Sequence, residues 1–516
     1  MISMYPARTD TPEAPASASL VRLRRLGIDT YQEPVIYMPA DCGICRSEGW
    51  GAQARVEVRS GDRAVLATLN VTTDGLLGDG EAGLSEVAWR QLGVEEGALA
   101  TLAHPTPLES LAALRAKIYG HRLDADDMRA IVGDIASGRY SAVHLAAFVT
   151  ACAGGRLDVD ETVDLTRAMI DAGERLQWPS APVMDKHCIG GLPGNRTTML
   201  VVPIVAAAGL VIPKTSSRAI TSPAGTADAM EVVAPVTLDL HAMRRVVERE
   251  GGCIVWGGAV RLSPADDLII RVERPLDIDS EGQLVASVLS KKVAAGSTHV
   301  LIDVPVGPTA KVRSDEAASA LADRLTAVGE RLGLTVRVRR SDGTQPVGRG
   351  IGPALEARDV LAVLRDEPGA ADDLRRRSVA LAGEVLELSA RVAPGTGMAW
   401  AERLLADGSA WRKFLAICEA QGGFREPGAA GQRWVLTAPR AGRVTAIDNR
   451  RLARLAKLAG APQAPTAGLD LHVRVGDAVT AGAPLLTLHA ESPGELAYAR
   501  AYARERTSIL AIGGAA

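Results

Sequence analysis

Asp185-Lys186-His187-Cys188-Ile189-Gly190-Gly191-Leu192-Pro193-Gly194-Asn195-Arg196-Thr197-Thr198 runs without a break into the apolar segment Met199 to Ala208. Three glycines let the backbone turn tightly and come close to a ligand. A loop of this kind that feeds a helix N-terminus is an anion site, because unpaired N–H groups and the helix dipole converge there. Lys186, Arg196 and the hydroxyls of Thr197 and Thr198 add charge and donors. An ordinary βα turn shares this composition, so the loop alone leaves both readings open.

The next segment, Lys214-Thr215-Ser216-Ser217-Arg218-Ala219-Ile220-Thr221-Ser222-Pro223-Ala224-Gly225-Thr226-Ala227-Asp228, gathers hydroxyl side chains around one Lys and one Arg. Many small donors beside two cations suit oxyanions and sugar hydroxyls. Gly209 to Thr215 is not a Walker loop, since the glycine before Lys214 is missing.

Around these loops the chain alternates between strand and helix patterns from about 181 to 430. Val232-Val233, Cys253 to Val255, Leu268 to Ile270, Val300 to Ile302 and Thr335 to Val338 are short β-branched runs expected as strands. Ala310 to Leu332 and Ala357 to Leu364 are expected as helices between them. The pattern predicts a large α/β domain with a mixed sheet.

Residues 21–103 carry strand signals, with Ser60-Gly61-Asp62 as a turn, and predict a β-rich domain behind a flexible N-terminus, 1–20. Residues 104–180 read as a helical domain with helices starting at Asp124, Ser141 and Asp160. Residues 431–516 have Gly-punctuated strands and predict a compact C-terminal α+β module around one helix. The fold class is multidomain α/β.

The net charge of −3 on 516 residues gives no case for a nucleic-acid partner. Six scattered cysteines do not make a disulfide framework, which points to the cytoplasm. No secretory signal or membrane span is expected. Cys42 and Cys45 have metal-ligand spacing without a second pair, so buried thiols and a metal or redox site both stay open. Ser341 to Gly352 is a second Gly-rich loop, read as a structural turn.

Taken together, Asp185-Lys186-His187, Gly190-Gly191, Pro213 to Arg218, Gly225 to Asp228 and Ser287 to Lys292 resemble the signature of the thymidine/pyrimidine-nucleoside phosphorylase family. Ser217 to Ser222 and the extra N-terminal domain are similar to the longer branch that includes AMP phosphorylase. The resemblance covers most of the chain. It implies Asp279 as the proton donor, and substrate contacts from Gly191, Ser217, Arg218, Ala219, Ile220, Thr221, Ser222, Thr226, Ser287, Lys291 and Lys311. It implies a phosphate site shaped by Lys186, Thr198, Ser216 and Thr226. Cys188 stands where the family usually has Ser, and a thiol is the weaker donor. Read without the resemblance, Asp279 and its neighbour Asp277 are turn carboxylates.

These residue types fit glycosyl transfer to phosphate. The transition state is cationic at the sugar and anionic at the leaving base. The base therefore needs a general acid, and phosphate needs cations that leave its attacking oxygen free. The expected reaction is phosphorolysis of nucleoside 5′-monophosphates such as AMP, CMP or UMP to free base and ribose 1,5-bisphosphate. The alternatives are thymidine phosphorolysis, a phosphoribosyltransferase with Asp185 and Asp228 as metal ligands, and a non-catalytic nucleotide sensor. The preferred reading implies a homodimer or larger, with inorganic phosphate as co-substrate and no metal or organic cofactor.

Overall fold

The computed structural model describes residues 19–31, 33–179, 181–219, 222–276, 278, 280–505 and 509–514. Most of the expected flexible terminus, together with Ile220, Thr221, Asp277 and Asp279, lies outside the described residues. The chain divides into two compact units, Met1–Glu109 and Ser110–Ala516.

The first unit holds strands β1 (Ser19–Arg25), β2 (Val35–Pro39), β3 (Arg55–Ser60), β4 (Arg63–Thr72), β5 (Glu81–Leu84) and β6 (Leu99–Ala103), with helices α1 (Gly43–Ser47) and α2 (Glu86–Leu92). The strands close into a barrel in the order β1-β5-β2-β4-β3-β6. Val56, Val58, Val65, Ala67 and Leu69 alternate inward to form its core. Cys42 caps α1, its Sγ accepting from the Cys45 N–H at 3.3 Å. Both thiols are free and buried, and burial pushes Cys45 up to about 12. Among the described residues no three His, Cys, Asp or Glu side chains converge as a metal site.

The second unit opens with α3 (Ser110–Ile118), α4 (Ala125–Ala136), α5 (Ala142–Cys152) and α6 (Val159–Asp171). Asp124 and Ser141 cap α4 and α5 as expected. Helix α6 starts two residues earlier than predicted: Asp158 accepts from Glu161 N at 2.9 Å, and the Glu161 carboxylate returns to Asp158 N at 3.2 Å. This reciprocal capping box outcompetes Asp160.

Next come β7 (Met184–Cys188), α7 (Thr198–Ala207), β8 (Ile212–Ser216), α8 (Thr226–Glu231), α9 (Leu240–Glu250), β9 (Gly252–Trp256), α10 (Pro264–Leu276), α11 (Glu281–Ala294), β10 (His299–Val306), α12 (Asp315–Arg331) and β11 (Thr335–Asp342). Strands β8 and β9 pair in parallel, as do β7, β10 and β11. A parallel bridge from Val183 to Val211 joins the two sets. The expected mixed sheet is thus parallel throughout, because each strand returns through a helix to the same end. Leu268 to Ile270 belong to α10, not to a strand. Ala265, Ile269 and Val272 fall on one buried helical face. Val232 and Val233 close the turn after α8 instead of forming a strand, with Val233 N bonded to Met230 O at 2.9 Å.

Helix α11 packs along α6, and α10 against α4 and α5. The helical lobe is therefore completed by two helices from much later in the chain. The remaining helices α13 (Pro353–Leu364), α14 (Asp372–Leu388), α15 (Gly397–Ala406) and α16 (Ser409–Gln421) surround α7, which is buried on all sides.

Strand β12 (Gly350–Ile351) crosses to the C-terminal module. That module holds β13 (Gln432–Thr437), β14 (Gly442–Ile447), α17 (Asn449–Leu458), β15 (Gly468–Leu471), β16 (Ala478–Val479), β17 (Pro484–Ala490), α18 (Pro493–Glu505) and β18 (Leu510–Gly513). It has two helices where one was expected; Asp448 caps the first by accepting from Arg450 N and Arg451 N, each at 3.0 Å. Among the described residues no helix is long and apolar enough to cross a membrane.

Candidate active site

The parallel sheet runs in the order β9-β8-β7-β10-β11. From β7 the chain builds outward through β8 and β9, then reverses to place β10 on the other side of β7. In open α/β sheets, the crevice at such a reversal, beyond the carboxyl ends of the strands, is where ligands bind. Here it is bounded by the Gly-rich loop after β7 and the loop after β10. Gly191, at φ +81°, presses on the Lys311 backbone so closely that a Cβ would overlap its nitrogen.

Three buried side chains and the half-buried Cys188 form a chain beneath the Gly-rich loop. Lys186 Nζ donates to Thr197 Oγ1 at 2.6 Å, and Thr197 donates to Asn195 Oδ1 at 3.2 Å. Asn195 Nδ2 in turn donates to Cys188 Sγ at 3.2 Å. Burial raises the Cys188 thiol, with Asp303 adding to the effect, so it stays protonated. Thr198 begins α7 and is buried beside this chain.

Arg196 ties three segments together. It donates to Thr226 Oγ1 at 2.9 Å and to Ala224 O at 3.2 Å, and it forms an ion pair with Glu356 of α13. Burial pushes the Glu356 carboxyl up to about 7 against the pull of Arg196.

The site floor carries surplus positive charge. Asp185 is shared by Lys292 at 2.7 Å and Lys214 at 3.5 Å. Burial acts to raise the Asp185 pKa, but the two ammonium groups outweigh it and hold it below the ordinary value. With two lysines on one carboxylate, burial drives Lys214 down to about 7. His187 is held well below its ordinary value by burial and by Lys292, Lys214, Lys291 and Lys186, so it is neutral near pH 7. Buried positive charge of this kind is relieved by an anion.

Arg218 is occupied within the protein. It pairs with Glu231 at 2.5 Å and Asp228 at 3.3 Å, and its guanidinium lies 4.9 Å from the Trp256 ring centroid. Asp228 also accepts from Ala219 N at 2.6 Å and Gly225 N at 2.8 Å, which closes the second loop on itself. Ser222 Oγ donates to Ala224 O at 2.8 Å. Ser217 is exposed, whereas Ser216 Oγ is buried with no hydrogen-bond partner among the described residues.

On α11, Lys291 Nζ donates to Ser287 Oγ at 3.0 Å and pairs with Asp266 of α10.

Comparison with known proteins identifies the domains. Residues 111–173 match the helical bundle domain of a glycosyl transferase family, 180–411 its a/b domain, and 443–510 the pyrimidine nucleoside phosphorylase C-terminal domain. A protein of Polaromonas sp. named "Putative thymidine phosphorylase" is 64% identical over 97% of this chain and 98% of its own length. A like-named protein of Acidovorax sp. is 64% identical over 95% of this chain and 96% of its own. The chain belongs to the thymidine/pyrimidine-nucleoside phosphorylase family. A solved anthranilate phosphoribosyltransferase from Thermus thermophilus aligns at TM-score 0.48 and 20% identity, over 60% of this chain and 99% of that one.

The phosphorylase is therefore a pentosyltransferase, and the residues expected at its site separate into three groups. Lys186 lies in β7 and Ser216 ends β8, Thr198 and Thr226 begin α7 and α8, and Gly191 meets Lys311 between the loops after β7 and β10. Ser287 and Lys291 come from α11, with Lys291 close enough to add to the field at His187. Ser217, Arg218, Ala219 and Ser222 lie in the second loop, where Arg218 and Ala219 are engaged internally. Ile220, Thr221 and Asp279 lie outside the described residues. Sequence reading missed Asp266, Glu356 and Trp256. Reading Leu268 to Ile270 as a strand concealed that Asp266 lies in the first turn of a helix. No local pattern marked Glu356 or Trp256.

Proposed function

We propose that the chain phosphorolyses a pyrimidine nucleoside, with thymidine as the first candidate, giving thymine and 2-deoxyribose 1-phosphate. The observation that carries the reading is the cluster of buried lysines Lys186, Lys214 and Lys292, with the Ser216 hydroxyl at the end of β8, which has no hydrogen-bond partner among the described residues. Phosphate bound there relieves the charge and gives Ser216 an acceptor. Attack at the anomeric carbon then forms the sugar–phosphate bond as the bond to the base breaks. Asp279, protonated beforehand, donates its proton to the departing base, and Ser287 and Lys291 contact the polar edge of the base. The names of the relatives support thymidine.

A second reading is phosphorolysis of nucleoside 5′-monophosphates, AMP, CMP or UMP. It is favoured by the exposed Ser217 hydroxyl in the second loop. It is weakened because Arg218, one of the cations that suggested a second phosphate, is already engaged by Glu231 and Asp228.

The reading needs inorganic phosphate and no other cofactor. Asp185 is enclosed by two lysines and Asp228 by backbone N–H groups, so neither is disposed to hold the magnesium of a phosphoribosyltransferase. We also propose a homodimer, supported by exposed Ile118, Tyr119 and Val143 on the helical lobe. Light scattering tests that part.

The deciding experiment is release of free base from thymidine, uridine, AMP, CMP and UMP, each with and without phosphate. Phosphate-dependent release from nucleosides supports the first reading, and release from monophosphates alone supports the second. No release from any substrate removes both.

A further inference from the structure

Asp266 is a buried carboxylate that the fold leaves half-satisfied. Its side chain is 1% exposed, and its one ion pair among the described residues is to Lys291, whose side chain is 27% exposed. The second oxygen, Oδ1, is buried with no hydrogen-bond partner among the described residues. Although Asp266 sits in the first turn of α10, no described backbone N–H of that helix donates to its side chain. Stranding a carboxylate oxygen away from water is costly. The cost brings the helix no cap in return.

What the carboxylate does is hold an ammonium. Lys291 Nζ is gripped by Asp266 from α10 and by Ser287 Oγ, one helical turn back on α11, at 3.0 Å. A free lysine has four rotatable side-chain bonds and samples many positions. This one has its ammonium fixed where two helices of the lobe face each other. The next residue, Lys292, turns away to Asp185 and is 2% exposed. Adjacent lysines thus serve different carboxylates, one in the sealed floor and one with access to solvent.

We infer that Asp266 is a positioning residue that fixes the Lys291 ammonium as a donor for the leaving base. The inference rests on the proposed phosphorolysis for its functional consequence, but the anchoring can be read without it. A fixed donor meets the base carbonyl already oriented, so less freedom is lost on binding. Asp266 itself is too buried to touch substrate and acts through Lys291.

The test is a double-mutant cycle on the full chain with Asp266→Asn, Lys291→Ala and the double variant. Asp266→Asn is expected to raise KM for the nucleoside about tenfold, with KM for phosphate unchanged. In the Lys291→Ala background it should cost nothing further. Stability gives a second readout should Asp266→Asn fold poorly. Lys291→Ala strands a buried charge, so adding Asp266→Asn should restore Tm rather than lower it. An equal loss from Asp266→Asn in both backgrounds, or a double variant less stable than Lys291→Ala, overturns the inference.

Acylation of surface amines, read by mass spectrometry, is independent of any substrate. Labelling of Lys291 should rise severalfold in Asp266→Asn, with other lysines unchanged; unchanged labelling of Lys291 also overturns the inference. If the wild-type protein turns over no substrate while labelling rises as expected, the proposed function fails and the anchor stands.

Discussion

Lys186 Nζ lies 2.6 Å from Thr197 Oγ1, which binds the end of strand β7 to the start of helix α7 across the Gly-rich loop. The lysine therefore reaches beneath the loop instead of out into solvent. Through Thr197 and Asn195 the same chain continues to Cys188.

Cys188→Ser should strengthen phosphate binding. The thiol is a weak donor, and a hydroxyl at the same place can both accept from Asn195 and donate to phosphate. We expect KM for phosphate to fall about fivefold, the worth of roughly 1 kcal/mol for a gained hydrogen bond. Steady-state kinetics at saturating nucleoside measure it; an unchanged KM means that Cys188 does not face phosphate.

Ser216→Ala separates binding from folding. The Ser216 hydroxyl has no partner among the described residues, so its removal should leave stability unchanged or slightly higher. Phosphate affinity should drop about tenfold if the hydroxyl serves the anion. Calorimetric titration of phosphate, beside a thermal melt, gives both numbers.

Arg218→Ala distinguishes a substrate contact from a brace. Glu231, Asp228 and Trp256 already engage the guanidinium. As a brace for the second loop, its loss should raise KM for nucleosides and monophosphates by the same factor. A loss confined to monophosphates would assign it to the 5′-phosphate instead.

Glu356 predicts a pH effect. Its pKa rises from the ordinary 4.5 to about 7 through burial, so the folded state holds this proton more tightly than the unfolded chain. Its contribution to stability is complete below about pH 4.5 and is lost as pH rises through about 7. Glu356→Gln abolishes that titration. Tm of wild type should therefore fall relative to Glu356→Gln between pH 5 and 8; parallel melting curves across that range would contradict the shift.

Asp279→Asn should bind nucleoside within about threefold of wild type yet lose on the order of 10²-fold or more in kcat, since an amide cannot protonate the departing base. A wild-type rate removes Asp279 from the proton-donor role.

Much of the site was legible because its signals are local. Glycines at Gly190, Gly191 and Gly194, and the caps at Asp124 and Ser141, encode their own geometry within a few residues. The same locality explains the misreadings. Ile269 and Ile270 carry strand propensity, but burial of the Ala265, Ile269 and Val272 face makes α10 a helix. A mixed sheet was expected because strand direction depends on how the chain returns, which short β-branched runs do not record.

The sequence by itself determined the order of domains, the Gly-rich loop and the phosphorylase signature, since each is written in neighbouring residues. Only the tertiary structure decided which counter-charge each cation meets. Lys214 and Lys292 meet on Asp185, Arg218 meets Glu231 and Trp256, and Lys291 meets Asp266. These partners lie on different strands and helices, and a charge is committed or free only once folding has brought its counter-charge within a few ångströms.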